Sequence, residues 1–290
     1  MNKKNQKKLY VTITMDVDPD ANIAVEGSIT PVSPEMDRRI SIRETRWGLY
    51  ILFRIADILD LPLTVFWEAR TLNLVNLTWP ELINAYRQKK NCEHGCHGYR
   101  HEDYDGKKSG QKLSFEETKA LIGKASNIIS RTFGCRPAGF RAPYCRLTDN
   151  LIKALGTFSF QYDASITVKQ DKSPPKPYQI GEESEGQIRE IPLYQGRDSK
   201  GEPVSGYLWQ LFEGNRTPDQ YLSLVQGTAR KFPGCMLQIA IHPWHLRANK
   251  KNQSPARIGK AGVSKLWYFL KKLQKIPNVE LVTVSEYLGL

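Results

Sequence analysis

The chain has no run of about 18 apolar residues, and its 290 residues include only five cysteines and five histidines. The missing run excludes a helix crossing a membrane. The basic start, Met1 to Lys8, passes straight into Leu9–Val17, where Thr12, Thr14 and Asp16 interrupt the apolar stretch that a secretory signal needs. No cleaved leader is therefore expected. The odd number of cysteines (Cys92, Cys96, Cys135, Cys145, Cys235) has no small-scaffold spacing, which argues for reduced thiols rather than a disulfide framework. The sequons at Asn76 and Asn215 carry no weight without secretion, and a cytoplasmic location is the expectation. A Gly-rich phosphate turn after the first strand-like run is also missing, which weighs against a dinucleotide-binding sheet.

Acidic residues are in deficit: 30 Asp and Glu against 42 Lys and Arg leave a net charge of +12. Such a balance suits an anionic partner, whether nucleic acid, lipid headgroup or acidic substrate. The excess gathers at Lys3, Lys4, Lys7 and Lys8, between Arg247 and Lys260, and at Lys271, Lys272 and Lys275. With no zinc finger or aromatic RNA-binding signature beside it, nucleic acid is not an expected partner. Contact with an anionic membrane surface and a homo-oligomer stay open.

Strand and helix patterns alternate along the whole chain. Leu9–Val17 has period two; Trp47, Ile51, Ile55 and Ile58 mark one face of a helix that Pro62 stops; Leu63–Trp67 is a buried strand. Thr78, as cap, and Pro80 open a further helix, and a short strand covers Cys92–Cys96. Ser114-Phe-Glu-Glu117 forms a capping box before a long amphipathic helix that ends at Gly134. Strands follow at Ala138–Arg141, Phe158–Asp163, Ile188–Leu193, Met236–His242 and Val279–Val284, with helices over Thr148–Leu155, from Thr217-Pro-Asp-Gln220, and near Ser264–Lys275. Alternation of this kind predicts an α/β protein, an irregular (β/α) barrel of about seven parallel strands. Residues 9–290 are expected to form one domain behind a basic, flexible tail at 1–8.

In such a barrel reactive groups collect at the carboxyl ends of the strands. Asp16 and Asp18 share a face there, which suits a base beside a metal ligand, or simply two solvated acids. His97-Gly-Tyr-Arg-His101 sets two imidazoles four residues apart, and Gly98 permits the turn that would bring both to one ion. Four of the five histidines fall in two clusters, His97 with His101 and His242 with His245, each after a strand. His242 has the ordinary pKa of a general acid near neutrality. Arg141 and Asp163 end two further strand-like runs, where a salt-bridge role is the plainer reading. Cys92, His94 and Cys96 could form a structural zinc site, but alternation turns them away from His97, so packing against outer helices is expected. Cys145 lies near Arg141 and reads as a packed thiol.

Together, Thr14-Met-Asp-Val-Asp18, His97-Gly-Tyr-Arg-His101, Arg141-Ala-Pro-Tyr144, Tyr162-Asp-Ala-Ser165 and Ile241-His-Pro243 resemble, in order, the motifs of the polysaccharide deacetylase family (carbohydrate esterase family 4, NodB homology). The resemblance implies an irregular barrel and a divalent metal, most often Zn2+ with Ni2+ or Co2+ as alternatives, held by Asp18, His97 and His101. It implies Asp16 as general base oriented by Arg141, the Tyr144 backbone N–H at the oxyanion, and His242, paired with Asp163, as the acid that protonates the leaving amine. Two departures, Val17 between the acids and Gly98 in place of a hydroxyl residue, resemble an intracellular branch with peptidoglycan-deacetylase-like, allantoinase-like and cyclic-imide-hydrolysing members. The leading expectation is metal-dependent N-deacetylation of an amino sugar or polysaccharide. The alternatives are a non-sugar amide (cyclic imide or allantoin-like ureide) or deformylation of a lipid-linked sugar, and, more remotely, an inactive barrel that binds polyanions. The segments 19–46 and 169–187 are expected to border the mouth of the site.

Overall fold

The structure is a computed structural model, and it describes residues 7–19, 23–25, 28–32, 43–170, 172–182, 187–212, 214–246 and 260–290. Lys3, Lys4, the 247–259 basic stretch and most of the 19–46 border segment lie outside the described residues, as do 171 and 183–186 in the 169–187 segment.

Leu9–Val17 is the central strand, apolar at every second position and buried along almost its whole length. It pairs in parallel with Met236–Ile241 on one side, and with Val279–Leu281 and then Leu63–Trp67 on the other. The sheet continues in parallel through Cys92–Cys96, Gly139–Phe140, Tyr162–Asp163 and Ile188–Glu190, and an antiparallel Tyr178–Ile180 ends it. The expected seven parallel strands are thus the run from Met236–Ile241 to Ile188–Glu190, with Val279–Leu281 added beside the first strand.

The sheet curls into an incomplete barrel. Arg141, at the end of its fifth member, bonds Gln238 in its first, and Gln238 reaches on to the Ile191 carbonyl. Among the described residues no backbone ladder joins Ile188–Glu190 to Met236–Ile241. The seam is filled instead by Gly206–Leu208, where Tyr207 makes a single bridge to Ala240 and Leu208 N donates to the Ala240 carbonyl. A Cβ on Gly206 would stand 2.1 Å from the Gln238 carbonyl oxygen, so only glycine fits this seam. A second sheet, Pro203–Ser205, Leu193–Arg197 and Thr167–Lys169, supports the seam from outside.

Helices cover the outer face. Arg43–Leu59 buries Leu49, Leu52, Phe53, Ile55 and Ala56, whereas Trp47 is 46% and Ile58 62% exposed. The stripe expected from Trp47, Ile51, Ile55 and Ile58 therefore meets the core at Ile55, with Ile51 half-buried, and misses it at Trp47 and Ile58. This helix is apolar around most of its circumference, so periodicity leaves two candidate faces, and the close approach of Gly48 to Pro243 chooses between them. Thr78 is not a cap either: it is the last residue of Ala69–Thr78, its hydroxyl donates to the Leu74 carbonyl, and Trp79 precedes Pro80–Arg87. The capping boxes at Ser114 and Thr217 are present. The expected strand Phe158–Asp163 shrinks to Tyr162–Asp163, because Phe158 caps the helix Asp149–Thr157 and Ser159 takes a left-handed φ of 59°. The amino-terminal end of the barrel is closed by Glu93, whose carboxylate accepts from Thr64, Tyr162 and both the amide and hydroxyl of Ser285, at the start of Val284–Leu288.

Candidate metal centre and active site

Asp16 and Asp18 leave the central strand on the same side and meet the ends of two neighbouring strands. One ligand atom from each of Asp18, His97 and His101 lies within 4.8 Å of the other two, and all three residues are buried. His97 Nδ1 bonds the Arg141 carbonyl at 2.8 Å, which fixes the tautomer with a proton on Nδ1 and a lone pair on Nε2. That Nε2 is buried with no hydrogen-bond partner. A sealed, unpaired imidazole nitrogen beside a carboxylate is costly in a protein interior unless a Lewis acid meets it. One oxygen and two nitrogen donors fit a divalent ion such as zinc.

The turn that brings the two histidines together is held by a residue sequence inspection missed. Glu102 is buried and accepts from the amides of Tyr99 and Arg100 and the hydroxyl of Tyr104. Gly98 sits over this carboxylate at a φ of +77°, and a Cβ there would approach it to 3.0 Å. His101 also takes a left-handed φ of 59°, and Tyr144 and Cys145 do so at 58° and 54° across the site. Non-glycine residues in this region collect where surrounding structure holds them for function.

Asp16 is wholly buried. Its Oδ1 accepts from Arg141 Nη1 at 2.7 Å and its Oδ2 from the Tyr207 hydroxyl at 2.7 Å. Burial alone would raise its pKa, but the Arg141 guanidinium, with His97 and His242, brings the carboxyl below its ordinary value. Arg141 is anchored in turn by the Ala164 carbonyl, Thr14 and Gln238, and it lies over the Phe66 ring at 4.5 Å.

His242 ends the strand Met236–Ile241. Its Nδ1 lies 2.7 Å from Asp18 Oδ1 and its Nε2 2.6 Å from the Tyr207 hydroxyl. Burial opposes the imidazolium, yet Asp18 and then Asp16 outweigh it and raise the pKa to about 9. Burial lowers His97, and it lowers His101 to about 3 against the pull of Asp18, so both rings are neutral as ligands must be.

The expected pairing of His242 with Asp163 is corrected by this geometry. His242 Nδ1 is engaged by Asp18, while Asp163 accepts from the amide and hydroxyl of Ser165, both at 2.9 Å. Ser165 then accepts from the Ala142 amide at 2.7 Å. Burial raises both Asp163 and Glu190, Glu190 well above its ordinary value, where the neighbouring Asp163 carboxyl adds to the effect. Asp163 thus braces the Arg141–Tyr144 turn and does not touch the histidine. His94 and Cys96 face outward as expected: His94 stacks on Phe133 and accepts from the Trp67 indole.

A cavity of about 330 Å³ is lined by both aspartates, both metal-site histidines, Tyr144, Tyr207 and His242. Cys145 lines it too, with burial pushing its thiol up to about 12, so it is not a nucleophile near neutrality. Tyr207 had no periodic signal, since it sits in the barrel seam; Ser205-Gly-Tyr-Leu-Trp209 offers only a glycine before an aromatic.

A family model matches residues 53–162 of this chain. The match is to the polysaccharide deacetylases. The matched segment contains His97, His101, Arg141 and Tyr144, while Asp16, Asp18, Asp163 and His242 lie outside it. No curated protein matches the sequence. Among solved structures, a Mycobacterium smegmatis protein described as a polysaccharide deacetylase is 20% identical, with a TM-score of 0.67 over 99% of this chain and 91% of its own. Puue allantoinase is 16% identical, with a TM-score of 0.67 over 98% of this chain and 90% of its own. A 4-alpha-glucanotransferase from Thermococcus litoralis reaches the same score at 13% identity, over 98% of this chain but 40% of its own. These identities carry the fold alone.

Proposed function

We propose that the chain is a metal-dependent hydrolase of a C–N amide bond, acting on an N-acylated amino sugar, with residues 9–290 as one domain. The observation that carries this reading is the convergence of Asp18, His97 and His101, with His97 Nε2 buried and unpaired. A divalent ion held there, zinc being the best fit to the donors, would acidify a water and polarise the amide carbonyl.

The protein groups divide the proton work. Asp16, kept ionised by Arg141, takes the proton of the attacking water. His242, charged beside Asp18, gives a proton to the amine, which leaves poorly as an anion. The Tyr144 turn, braced by Ser165 and Asp163, presents its backbone to the oxyanion. The same machinery on a small ureide is the second reading, favoured by the shared fold with an allantoinase. A cytoplasmic site of action is part of the proposal, in keeping with the five free cysteines. Among the described residues, no helix is long and apolar enough to cross a membrane.

Metal analysis tests the reading. Purified protein is expected to carry one divalent ion per chain by mass spectrometry, lost in His97→Ala and His101→Ala while circular dichroism is unchanged. Asp16→Asn should keep the ion and lose turnover by about 10²–10⁴. A wild-type chain that takes up no zinc, nickel or cobalt would refute the proposal.

A further inference from the structure

A cavity of about 460 Å³ lies at the amino-terminal end of the barrel. Lys7 lines it just before the central strand, and Asn278 just before Val279–Leu281. The length of Leu9–Val17, about 25 Å, separates it from the candidate metal centre. We infer that this cavity binds a phosphate ester, the chemistry shared by soluble organic phosphates and phospholipid headgroups. The inference does not depend on the hydrolase reading.

Three stretches of chain are stitched together to form it. The Leu9 amide donates to the Asn278 carbonyl and the Gly234 amide to the Lys8 carbonyl, both at 2.8 Å. Asn278 takes a left-handed φ of 60° and Gly234 one of 86°. A Cβ on Gly234 would stand 3.4 Å from Lys7 Cδ, so the lysine stem lies against this turn. Pro233 and Pro277 also line the cavity, and each fixes the backbone of its own turn. Walls held in this way lose little freedom when a ligand enters.

The lining sets the chemistry. Lys7 and Arg230 bring two cations, Gln226 and Asn278 two amides, and no Asp or Glu lines the space. Among the described residues neither cation is ion-paired and neither amide nitrogen has an acceptor, whereas Lys8 close by is paired with Glu280 at 3.1 Å. Residues 7–8, 226–234 and 271–280 hold seven Lys and Arg against Glu280 alone, half of the net charge of +12. Basic groups in a last helical turn offset the helix dipole, which accounts for Arg230, Lys231, Lys271 and Lys272. It does not account for Lys7, Lys8 and Lys275, which lie outside helices. Like charges gathered on one surface repel, and a bound phosphate relieves that repulsion. A guanidinium, an ammonium and two amide N–H groups around one space match phosphate oxygens. Ala229 and Ile276 leave an apolar wall for the carbon skeleton, and the volume is that of a small-molecule site.

Isothermal titration calorimetry on the full metal-loaded chain tests this. Glycerol 3-phosphate and glucose 6-phosphate are the soluble probes, phosphatidylglycerol vesicles the lipid-borne source, and phosphatidylcholine vesicles the blank. Binding of at least one ester is expected, with affinity about tenfold lower in Lys7→Gln and in Arg230→Gln, each losing one charge-assisted hydrogen bond. Lys271→Gln removes the same charge from the same surface but not from the lining, and should change affinity by less than about twofold. His97→Ala should bind as the wild type does, since the candidate metal centre takes no part. Soluble esters that bind identify a metabolite site; vesicles alone, with the same two losses, identify a headgroup site. No binding from either source, affinity unchanged in both lining variants, an equal loss in Lys271→Gln, or a loss in His97→Ala would overturn the inference. None of these outcomes touches the hydrolase reading, which stands or falls on the metal.

Discussion

Arg141 Nη1 stands 2.7 Å from Asp16 Oδ1, and neither side chain is more than 2% exposed. A buried pair of this kind gains little over an apolar substitute, but removing one partner leaves an uncompensated charge. Arg141→Met is expected to cost about 3–5 kcal/mol in urea unfolding. The double variant with Asp16→Asn should cost clearly less than the sum of the two single changes, because the stranded carboxylate is gone. Additive costs would mean that the pair is not coupled.

Tyr207 joins the candidate base to the candidate acid through one hydroxyl, 2.7 Å from Asp16 and 2.6 Å from His242. Tyr207→Phe keeps the ring that fills the seam and removes only this link. Turnover should fall about 10–100-fold, the worth of a hydrogen bond to a charged group, with the thermal midpoint shifted by a few degrees at most. A variant with full turnover would remove Tyr207 from the machinery.

The barrel was legible because its central strands are long, apolar and separated by well-capped helices: Leu9–Val17, Leu63–Trp67 and Met236–Ile241 all lie where the pattern puts them. The candidate ligands were legible because Asp18, His97 and His101 sit in compact spacings. Tyr207, Glu102 and Glu190 were not, since each acts from a seam, a turn or a two-carboxyl contact that only the closed barrel creates. The partner of His242 was misplaced for a related reason. Strand order puts Asp163 at the right height, but the Ser165 hydroxyl claims its carboxylate locally.

Gly48 carries the packing of the first helix on the turn after His242. A Cβ there would fall 1.8 Å from the Pro243 carbonyl oxygen, a backbone atom that cannot rotate away. Gly48→Ala should therefore push Arg43–Leu59 off Pro243–Leu246 and cost about 1–3 kcal/mol by the usual measure of overpacking. Because His242 and Trp244 ride on that turn, turnover should fall together with the melting temperature. A helical alanine would ordinarily stabilise by about 1 kcal/mol, so the sign of the change is the readout.

His94 gives the fold a pH dependence separate from the candidate site. Its ring accepts from the Trp67 indole at 3.1 Å, bonds the Tyr86 carbonyl at 3.2 Å and lies flat on Phe133, with centroids 3.6 Å apart. Burial lowers its pKa to about 4 from an ordinary 6.5, against the partial help of the Tyr86 carbonyl. The folded ring stays neutral where the unfolded one takes up a proton, so its contribution is complete above pH 6.5 and is lost as pH falls from there towards 4. The span corresponds to a few kcal/mol, on the order of 3. Urea unfolding at pH 7 and pH 5 should show the wild type losing stability, and His94→Gln, which keeps one donor and one acceptor but cannot titrate, should be weaker at pH 7 and lose less on acidification. Equal losses in the two proteins would place the acid sensitivity elsewhere.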